Sequence, residues 1–438
     1  MEWFPKNAKR LKVLRRDFEF LQVKVLGAAQ EVGRSAFQVN CDGANLLLDY
    51  GILLGKEPQY PMHIKPRDID AVVITHAHLD HSGYVPSLFV NGKNDVYATP
   101  PTFDLSRLLI EDMLRLQKNF FPFEMPEVVN MIKHSKEIGY REKIKKGNAS
   151  FELRESGHVV GGGAVIVESE NKRLYYTGDI NPRGSRMLRE ADFDFDEIDL
   201  VIIESTYSQT EQTPRNETEE GFMEFAYEVL DRKGTLFVPA FSVERSQEIA
   251  CVLKNAKFKH RVIMDGMAVK VNEIMLRYPE YLRDPKIFAD SIHHAMWIKG
   301  ERERKDALKE PCVVISPAGM LVGGSAIYYL QQLALDKKNG IAMVSYQGEG
   351  TPGRKLLETG KVNVRGKDVK TEADVKQFEF SGHADRKDLF EVIKKIKGNP
   401  KILTIHGDKD SCTKFAEEIH ERFGFDAHAP KAGEEITV

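Results

Sequence analysis

Cysteine is scarce in this sequence, and the few that occur form no metal-binding or disulfide pattern. Only four are present among 438 residues, and no two of them form a C-x-x-C pair. This excludes a disulfide framework and a zinc site built on cysteines. The simplest compartment for such a chain is a reducing cytoplasm.

Long hydrophobic runs are also missing. No apolar stretch approaches the roughly 18 residues needed to span a bilayer as a helix, so the sequence predicts neither an integral membrane protein nor a membrane partner. The basic N-terminal segment lacks the apolar core and the cleavage site of a signal peptide. Internal repeats and low-complexity linkers are absent as well, which leaves a folded globular chain.

The sequence has no large excess of charge of either sign. Its 63 Lys and Arg residues balance 66 Asp and Glu residues, for a formal net charge of −3. A polyanionic partner such as a nucleic acid would therefore have to be attracted locally or through metal ions. The basic stretches 6–16 and 141–146 are candidate sources of that attraction, although solvated surface charges are the simpler interpretation of both.

What is present is a mixed pattern of helices and strands, in a chain long enough for two or three domains. The first 200 or so residues contain short β-rich segments, several of them apolar runs typical of strands buried on both faces, and helical spacing at 104–117 and 126–134. After about Thr206, helices such as 243–253 alternate with strands, which is typical of βαβ units on a parallel sheet. The last 60 residues repeat this alternation, beginning with a predicted strand over 376–380.

One segment concentrates residues that can bind metal. It reads His76-Ala-His78-Leu-Asp80-His81 and follows an apolar run that begins at Val72. Three histidines at these spacings are expected by chance only about 0.01 times in a chain of this composition. His76 and His78 point the same way if strand geometry persists, and Asp80 and His81 fall on the turn that follows, where they can face a second ion.

A metal ion needs at least three protein ligands, and a pair of ions needs a bridging one. His158, in a Ser-Gly-His sequence, and Asp179, in Thr-Gly-Asp, each follow or close a β-like segment next to glycine. Beside the histidine-rich segment, we interpret them as further ligands. Asp49, at the end of an apolar run, is a candidate acceptor that orients a ligand histidine, and an ordinary aspartate at a strand end explains it equally well.

In this order, Asp49, residues 76–81, His158 and Asp179 resemble the motifs of the metallo-β-lactamase superfamily. The resemblance implies an α/β fold, an αββα sandwich of two sheets with a di-zinc site at one edge. Within the superfamily the chain is similar to the β-CASP ribonucleases, in which an α/β domain, the β-CASP cap, is inserted into the sandwich. It resembles archaeal homologues of the endonuclease subunit of the cleavage and polyadenylation specificity factor (CPSF), in the short form without RNA-binding KH domains.

The resemblance also assigns site residues. The acidic motif of the β-CASP ribonucleases matches Glu204, and two histidine motifs match His383 and His406. Glu204 is expected to hold His383, which contacts the scissile phosphate or protonates the leaving oxygen. The expected ligands are His76, His78 and His158 for one zinc and Asp80, His81 and His406 for the other, with Asp179 as a catalytic bridge between the two zinc ions.

The cap is expected to supply RNA contacts. Ser242, Arg245, Ser316 and Arg354 lie in segments similar to those of the β-CASP cap and are candidates for this role. One departure from the family pattern stands beside them, because Glu244 occupies the position where many members have glycine before the arginine.

His406 follows Asp179 by more than 200 residues, yet a second metal held by Asp80, His81 and Asp179 needs a further ligand. The C-terminal strands must therefore return to the first domain. The predicted layout is a sandwich formed by residues 1–206 and 376–438, with residues 207–375 as the inserted cap. The cleft between the two is then the expected substrate site.

These expectations lead to a zinc-dependent ribonuclease that hydrolyses single-stranded RNA as an endonuclease, a 5′-to-3′ exonuclease or both. Two zinc ions roughly 3.5–4 Å apart would clamp the attacking and leaving oxygens of an in-line displacement. The resemblance implies products with a 3′-hydroxyl and a 5′-phosphate. A homodimer and a larger RNA-processing complex both remain open.

Three alternatives share parts of this pattern. A thioesterase of the glyoxalase II type would share the histidine segment but would lack a cap of about 170 residues between the sandwich halves. A nuclease of the RNase Z type carries a different substrate arm, which has no counterpart here. A non-catalytic RNA-binding subunit is expected to have lost metal ligands, and all seven are present.

Overall fold

The computed structural model describes residues 21–55, 57–116 and 121–438. Its strands are, in chain order, β1 (Leu21–Val25), β2 (Phe37–Cys41), β3 (Ala44–Leu48), β4 (Ala71–Val73), β5 (Val96–Ala98), β6 (Ser135–Glu137), β7 (Ile144–Lys146), β8 (Ala149–Glu155), β9 (Gly163–Glu168), β10 (Arg173–Tyr176), β11 (Leu200–Glu204), β12 (Leu236–Pro239), β13 (Val262–Met264), β14 (Met296–Trp297), β15 (Val313–Ser316), β16 (Gly340–Met343), β17 (Lys361–Val364), β18 (Lys367–Lys370), β19 (Asp374–Gln377), β20 (Lys401–Ile405), β21 (Asp426–His428) and β22 (Glu435–Thr437).

The α-helices connect these strands on the outside of the sheets. They are α1 (Leu79–Ser82), α2 (Pro100–Leu116), α3 (Met125–Lys133), α4 (Arg215–Asp231), α5 (Arg245–Asn255), α6 (Met267–Met275), α7 (Pro285–His294), α8 (Glu301–Ala307), α9 (Gly324–Leu333), α10 (Pro352–Thr359), α11 (Arg386–Lys395) and α12 (Lys409–Phe423). Short 3₁₀ helices occur at Pro66–Asp68, Val85–Phe89 and Pro279–Tyr281. Among the described residues, none of the helices has the length and apolar character required to cross a bilayer.

Two seven-stranded sheets face each other in the sandwich. Their strand orders are β22-β1-β2-β3-β4-β5-β6 and β21-β20-β11-β10-β9-β8-β7. The inward side chains of both sheets form one buried cluster, in which Val23 and Leu46 of the first sheet pack with Val165 and Leu403 of the second. This shared core explains why so many strands are apolar, because their inner faces contact the opposite sheet.

The outer face of each sheet is covered by helices. Phe103 and Ile110 of α2 and Val128 of α3 pack in a cluster with Val72 on the outside of the first sheet. Leu389 of α11 and Phe415 of α12 cover the second sheet in the same way, against residues such as Val201 and Ile402. The layers are therefore helix, sheet, sheet and helix, as the α/β sandwich prediction requires.

A third sheet forms the inserted domain. Its order is β14-β13-β15-β12-β16-β19, and every neighbouring pair is parallel. Parallel strands need crossover connections, and the helices that alternate with them in the sequence supply these on both faces of the sheet. The prediction of an α/β second domain is thus confirmed for these strands.

The last strand of this sheet differs from the sequence prediction. We expected a strand over 376–380 in the C-terminal half of the sandwich, but β19 pairs with β16, as Ile341 opposite Val375 and Met343 opposite Gln377. The inserted sheet therefore extends two residues beyond the boundary predicted at residue 375. The pattern of one short strand does not specify its partner, which explains the error.

The C-terminal strands return to the sandwich. β20 lies parallel to β11, with Glu204 opposite Ile405, and β22 pairs antiparallel with β1. His406 directly follows β20, so this pairing sets it beside the end of β11, although 202 positions separate it from Glu204 in the sequence. The same edge of the sandwich collects the ends of β3, β4 and β10, and the polar residues that follow them.

Candidate metal centre

The histidine-rich segment forms a tight turn after β4. His78 is the residue before the single-turn helix α1, and Asp80 and His81 lie in that helix. His76 and His81 are buried, while His78 and Asp80 are half-buried. The turn therefore carries four candidate ligands within six positions, and they divide between two groups.

Three histidines and one aspartate form the first group of possible ligands. The Nδ1 atom of His78 lies 3.1 Å from Nε2 of His76 and 3.3 Å from Nε2 of His158. Both Nε2 atoms lie 3.5 Å from Oδ2 of Asp179. The four ligand atoms all lie within 4.8 Å of one another.

The second group lies on the other side of Asp179. It consists of Asp80, His81 and His406, whose ligand atoms also lie within 4.8 Å of one another. His406 Nε2 is 3.3 Å from Oδ2 of Asp80. Oδ1 of Asp179 is 3.3 Å from His81 Nε2 and 3.4 Å from His406 Nδ1, so this carboxylate contacts both groups with different oxygens.

Hydrogen bonds fix which ring nitrogen faces the centre. Nδ1 of His81 lies 2.8 Å from Oδ2 of Asp49, and Nδ1 of His158 lies 2.8 Å from the carbonyl oxygen of Gly382. Both oxygens only accept hydrogen bonds, so each Nδ1 carries a proton. Nε2 of His158 then keeps its lone pair, and Nε2 of His81, which faces Asp179, has a lone pair for a metal ion when the ring is neutral. Partners of this kind are usual behind metal-binding histidines.

Asp49 is completely buried and organises several neighbours. It accepts hydrogen bonds from the backbone N–H and the hydroxyl of Thr75 at 2.7 and 2.8 Å, and from the Tyr176 hydroxyl at 2.8 Å. The Thr75 hydroxyl in turn lies 3.1 Å from Nδ1 of His76, so it can accept a hydrogen bond there while donating one to Asp49. Asp49 thus supports two of the central histidines, one directly and one through Thr75.

Two site residues have a left-handed backbone. Asp49 has a φ of 56° and His406 a φ of 50°, and each follows the last residue of a strand. Asp and His are among the few residues that enter this region, and such backbone is concentrated at functional sites. In both cases the sharp turn aims the side chain across the sheet edge instead of along the strand.

The donor set fits zinc. In a tetrahedral site with Zn–N distances of about 2.0–2.1 Å, neighbouring ligand atoms lie about 3.3–3.4 Å apart. The nitrogens of the first group are 3.1 and 3.3 Å apart. In addition, Oδ1 of Asp179 is buried without a hydrogen-bond partner among the described residues, although it faces two ring nitrogens, which is the environment of an oxygen shared with a cation.

Burial and charge set the protonation states of the candidate ligands. Burial lowers the pKa of His76 and of His158 well below the ordinary value, and it lowers the pKa of His78 to a smaller extent. All three shifts favour neutral rings. Burial alone would raise the pKa of Asp179, but the adjacent His406 and His81 hold it well below its usual range. The central carboxylate is therefore ionised, with neutral rings in the first group. In the second group burial alone would lower the pKa of His81 and His406, but Asp179 raises both, that of His81 well above the ordinary value, so a metal ion would bind there by displacing protons.

Glu204 and His383 form a pair at the edge of this cluster. Nδ1 of His383 lies 3.1 and 3.0 Å from the two carboxylate oxygens of Glu204, and Glu204 also accepts the backbone N–H of Ile180 at 2.7 Å. Burial alone would lower the pKa of His383, but the Glu204 and Asp179 carboxylates raise it to about 9. His383 is thus a cationic group whose Nε2 edge is available beside the centre.

Family models match three consecutive parts of the chain. The metallo-beta-lactamase superfamily matches residues 34–219, the Beta-Casp domain residues 246–356, and the Zn-dependent metallo-hydrolase RNA specificity domain residues 368–430. The probable RNase MJ4 of Methanocaldococcus jannaschii is 35% identical over 95% of this chain and 100% of its own length. This chain belongs to the β-CASP family of the metallo-β-lactamase superfamily.

Other relatives agree. RNase aCSPSF2 of Saccharolobus solfataricus is 34% identical over 95% of this chain and 85% of its own length, and the transcription termination factor FttA of Methanocaldococcus jannaschii is 35% identical over 97% and 73%. A crystal structure of an Enterococcus faecalis protein of unknown function superposes with a TM-score of 0.64 at 15% identity, over 96% of this chain and 100% of that one, which shows the fold alone. The predictions of fold and family are confirmed.

Of the four predicted cap contacts, Arg245 lies beside the centre. Arg245 is 7% exposed, and a Cβ atom built on Gly382 would lie 3.6 Å from its Nη2 atom. Ser316 is buried and hydrogen-bonded to Ser325 at 2.7 Å, and Arg354 is exposed and paired with Glu358 at 2.6 Å. Ser242 is half-buried.

The basic stretch 141–146 is largely neutralised by the sandwich itself. Arg141 pairs with Asp192 and Asp194 at 2.9 Å, Lys143 with Glu168, and Lys146 with Asp95 at 3.2 Å. These contacts support the simpler interpretation of the stretch as surface charge. The other basic stretch, residues 6–16, lies outside the described residues.

Several supporting residues of the β-CASP ribonuclease-like centre were not singled out from the sequence. Thr75 and Tyr176 hold Asp49, and Thr206 lies 3.2 Å from Nδ1 of His406 through its hydroxyl. Each of them is next to, or within three positions of, a predicted site residue in the sequence, which is the signal that could have identified them. Gly382 has the same signal, because it precedes His383, but its contact with His158 spans 224 positions and follows only from the fold.

Proposed function

We propose that this chain is a zinc-dependent ribonuclease that hydrolyses phosphodiester bonds of single-stranded RNA. The observation that carries the proposal is the convergence of seven possible ligand side chains in two groups that both contact Asp179. Glu204, which also lies within ligand distance of Asp179 and His406, is assigned to His383 because it contacts Nδ1 of that ring with both oxygens. The names of two relatives that match over most of their own length, an RNase and a probable RNase, support the same activity.

The proposed ligands follow the two groups in the structure. His76, His78 and His158 would hold one zinc ion, Asp80, His81 and His406 the other, and Asp179 would bridge them. Zinc at these positions supplies Lewis acidity, which activates water and neutralises the charge of the phosphate. The distances among the donors and the unpartnered oxygen of Asp179 support this assignment.

The protein residues have separate tasks in the proposed reaction. Asp49 and Gly382 hold the protons of His81 and His158 on the far side of the rings, so that Nε2 stays free. Glu204 orients His383 through Nδ1 and keeps it protonated. His383 would then donate its Nε2 proton to the leaving 3′-oxygen, which yields a 3′-hydroxyl and a 5′-phosphate on the two products.

The layout of the chain is part of the proposal. The predicted sandwich of residues 1–206 and 376–438 around the β-CASP domain 207–375 is kept with one change, which is that the β-CASP domain ends after Gln377, because β19 pairs with β16. Arg245 is the cap residue best supported as a phosphate contact, and Ser242 remains a prediction. A cytoplasmic location and association as a homodimer or in an RNA-processing complex also remain predictions.

The proposal is tested with RNA labelled separately at its two ends, carrying either a 5′-monophosphate or a 5′-triphosphate. We expect the purified chain to contain close to two zinc equivalents by metal analysis and to cleave single-stranded RNA, and removal of zinc by a chelator to abolish cleavage. The positions of the labelled products distinguish internal cleavage from stepwise 5′-to-3′ degradation. Full cleavage by metal-free protein, or hydrolysis of a glutathione thioester without RNA cleavage, would contradict the proposal.

A further inference from the structure

The residue before helix α5 has an unusual backbone and environment. Glu244 has a φ of 74° and a ψ of −60°, in the left-handed half of conformational space that glycine enters freely and other residues avoid. Its side chain is also buried, with the residue 4% exposed. A glutamate that is both strained and buried is retained only where its surroundings hold it in place.

The nearest cation to Glu244 is the next residue in the chain. Oε2 of Glu244 lies 3.2 Å from Nη2 of Arg245. Nε and Nη1 of Arg245 are buried and have no hydrogen-bond partner among the described residues. A buried guanidinium with two unused donors lacks an acceptor, and a phosphate oxygen is the acceptor that guanidinium groups bind best.

The position of Arg245 connects it to the metal centre. A Cβ atom built on Gly382 would lie 3.6 Å from Nη2 of Arg245 and 3.3 Å from Nδ1 of His158. Gly382 directly precedes His383, so the guanidinium lies beside the loop that carries the proposed general acid. A phosphate group of RNA bound next to His383 would therefore meet the same guanidinium that Glu244 contacts.

We infer that Glu244 is a positioning residue that serves as an internal counter-charge for Arg245 and competes with the RNA phosphate for its guanidinium. This inference rests on the proposed ribonuclease function and adds a residue that weakens substrate binding. In the free protein the carboxylate holds and neutralises the guanidinium. When RNA binds, the phosphate takes over the guanidinium and Glu244 is left as a buried, repelling charge.

The charge of Glu244 is sensitive to pH near neutrality. Burial raises its pKa to about 7, Glu248 on the same helix acts in the same direction, and Arg245, Arg215 of α4 and His383 oppose it. Because the folded protein favours the protonated form, Glu244 is neutral at pH 6 and charged at pH 8. The competition for Arg245 should therefore be strong at pH 8 and nearly absent at pH 6.

The test is a double-mutant cycle on RNA binding with the zinc-loaded full chain. Glu244→Gln and Glu244→Gly are each compared with the wild type, alone and combined with Arg245→Ala, using KM and kcat for a single-stranded RNA at pH 6 and pH 8. Gln keeps the size of the side chain, and Gly also accepts the observed φ without strain. Glu273→Gln, at an exposed glutamate of α6 in the same domain, is the control for the change in net charge.

At pH 8 we expect both Glu244 substitutions to lower KM about three- to tenfold, the change that follows from removing a partly screened charge competitor, with a smaller effect on kcat. At pH 6 the difference from wild type should largely disappear. In the Arg245→Ala background the substitutions should have no effect on KM, and Glu273→Gln should have none at either pH.

An unchanged or higher KM in both Glu244 variants would overturn the inference, and so would a decrease in KM of equal size in the Arg245→Ala background. If the wild-type chain cleaves RNA, neither result affects the proposed function. If the wild-type chain binds RNA without cleaving it, the same cycle is measured as Kd by fluorescence anisotropy. A chain that neither binds nor cleaves RNA would overturn both proposals.

Discussion

At the residue scale, the hydrogen-bond partner of the outer ring nitrogen of a central histidine determines which nitrogen is left for a metal ion. Asp49 stands behind His81 and the Gly382 carbonyl behind His158, and both fix the proton on the far nitrogen. Glu204 does the same for His383, but His383 contacts no member of the two ligand groups through a hydrogen bond or ion pair among the described residues. This difference separates a proton donor from the ligands.

His383→Ala and His81→Ala should therefore have different effects. We expect His383→Ala to keep its zinc content and RNA affinity and to lose about 10²- to 10⁴-fold in turnover, the usual loss for a general acid. His81→Ala should lose zinc as well as turnover, because its Nε2 faces Asp179 in the second group. Metal analysis alongside kcat distinguishes the two, and loss of one zinc equivalent by His383→Ala would show that His383 is a ligand.

The sequence indicated side chains that lie together at the centre but not the residues that support them, and the cap contacts stay predictions. The histidine segment is compact enough for its spacing to imply a shared site, and the remaining ligands were found because they match a known order of motifs. Ser316 and Arg354 were placed in the cap by the same resemblance, yet the structure pairs one with Ser325 and the other with Glu358. A motif match shows which residues are close to one another in the sequence. The hydrogen-bond partner of such a residue depends on the fold.

At the scale of elements, strand ends position the site. Parallel pairing of β11 and β20 sets Glu204 beside His406, and the left-handed residues Asp49 and His406 turn their side chains across the edge. The strands themselves were largely predictable from apolar runs, because both sheets are buried on two faces. β19 was assigned to the wrong sheet because its residues are exposed or half-buried. Its sequence therefore has no apolar pattern that would indicate which of the two sheets it joins.

The junction between sandwich and cap depends on another buried glutamate of α5. Glu248 is fully buried and accepts the backbone N–H groups of Arg186 and Met187, in the loop that follows Asp179, at 2.9 and 3.0 Å, and it also pairs with Arg215. One carboxylate thus satisfies two backbone donors of the sandwich and a cation of the cap. Its removal would leave all three without this partner.

Glu248→Ala should accordingly destabilise the protein by roughly 3 kcal/mol or more, the cost of breaking a buried, hydrogen-bonded charge pair. Thermal unfolding of the zinc-loaded protein should show a clearly lower Tm. Glu248→Gln, which can still accept with one oxygen, should lose less, and Glu224→Ala, at an exposed position of α4, should be nearly neutral. An unchanged Tm for Glu248→Ala would mean that the junction does not depend on this contact.

At the scale of the whole molecule, the cap and the sandwich are packed against each other through a common apolar cluster. Leu105 and Val160 of the sandwich belong to the same buried cluster as Phe222 and Ile249 of the cap. Tyr278 of the cap also donates a hydrogen bond to Asp104 of α2 at 2.6 Å. The cap and the sandwich are therefore in direct contact, and a substrate that reaches the metal centre between them is expected to be an extended single strand and not a duplex.

The overall charge gives this cleft little long-range attraction for RNA. The net charge is −3, and three cations of the 141–146 stretch are already paired with carboxylates. RNA binding should then depend on the metal centre and on a few cations such as Arg245, with roughly three to six phosphate contacts. For single strands this corresponds to a slope of about −2 to −4 in log affinity against log salt.

Fluorescence anisotropy with a labelled single-stranded RNA between about 50 and 200 mM salt measures this slope directly. The same sequence annealed to its complement is the control, and it should bind and be cleaved less well. Arg245→Ala should make the slope shallower by about 0.7, because one phosphate contact is lost. A much steeper slope together with efficient cleavage of the blunt duplex would instead indicate a broad basic surface, which the ion pairs around 141–146 do not provide.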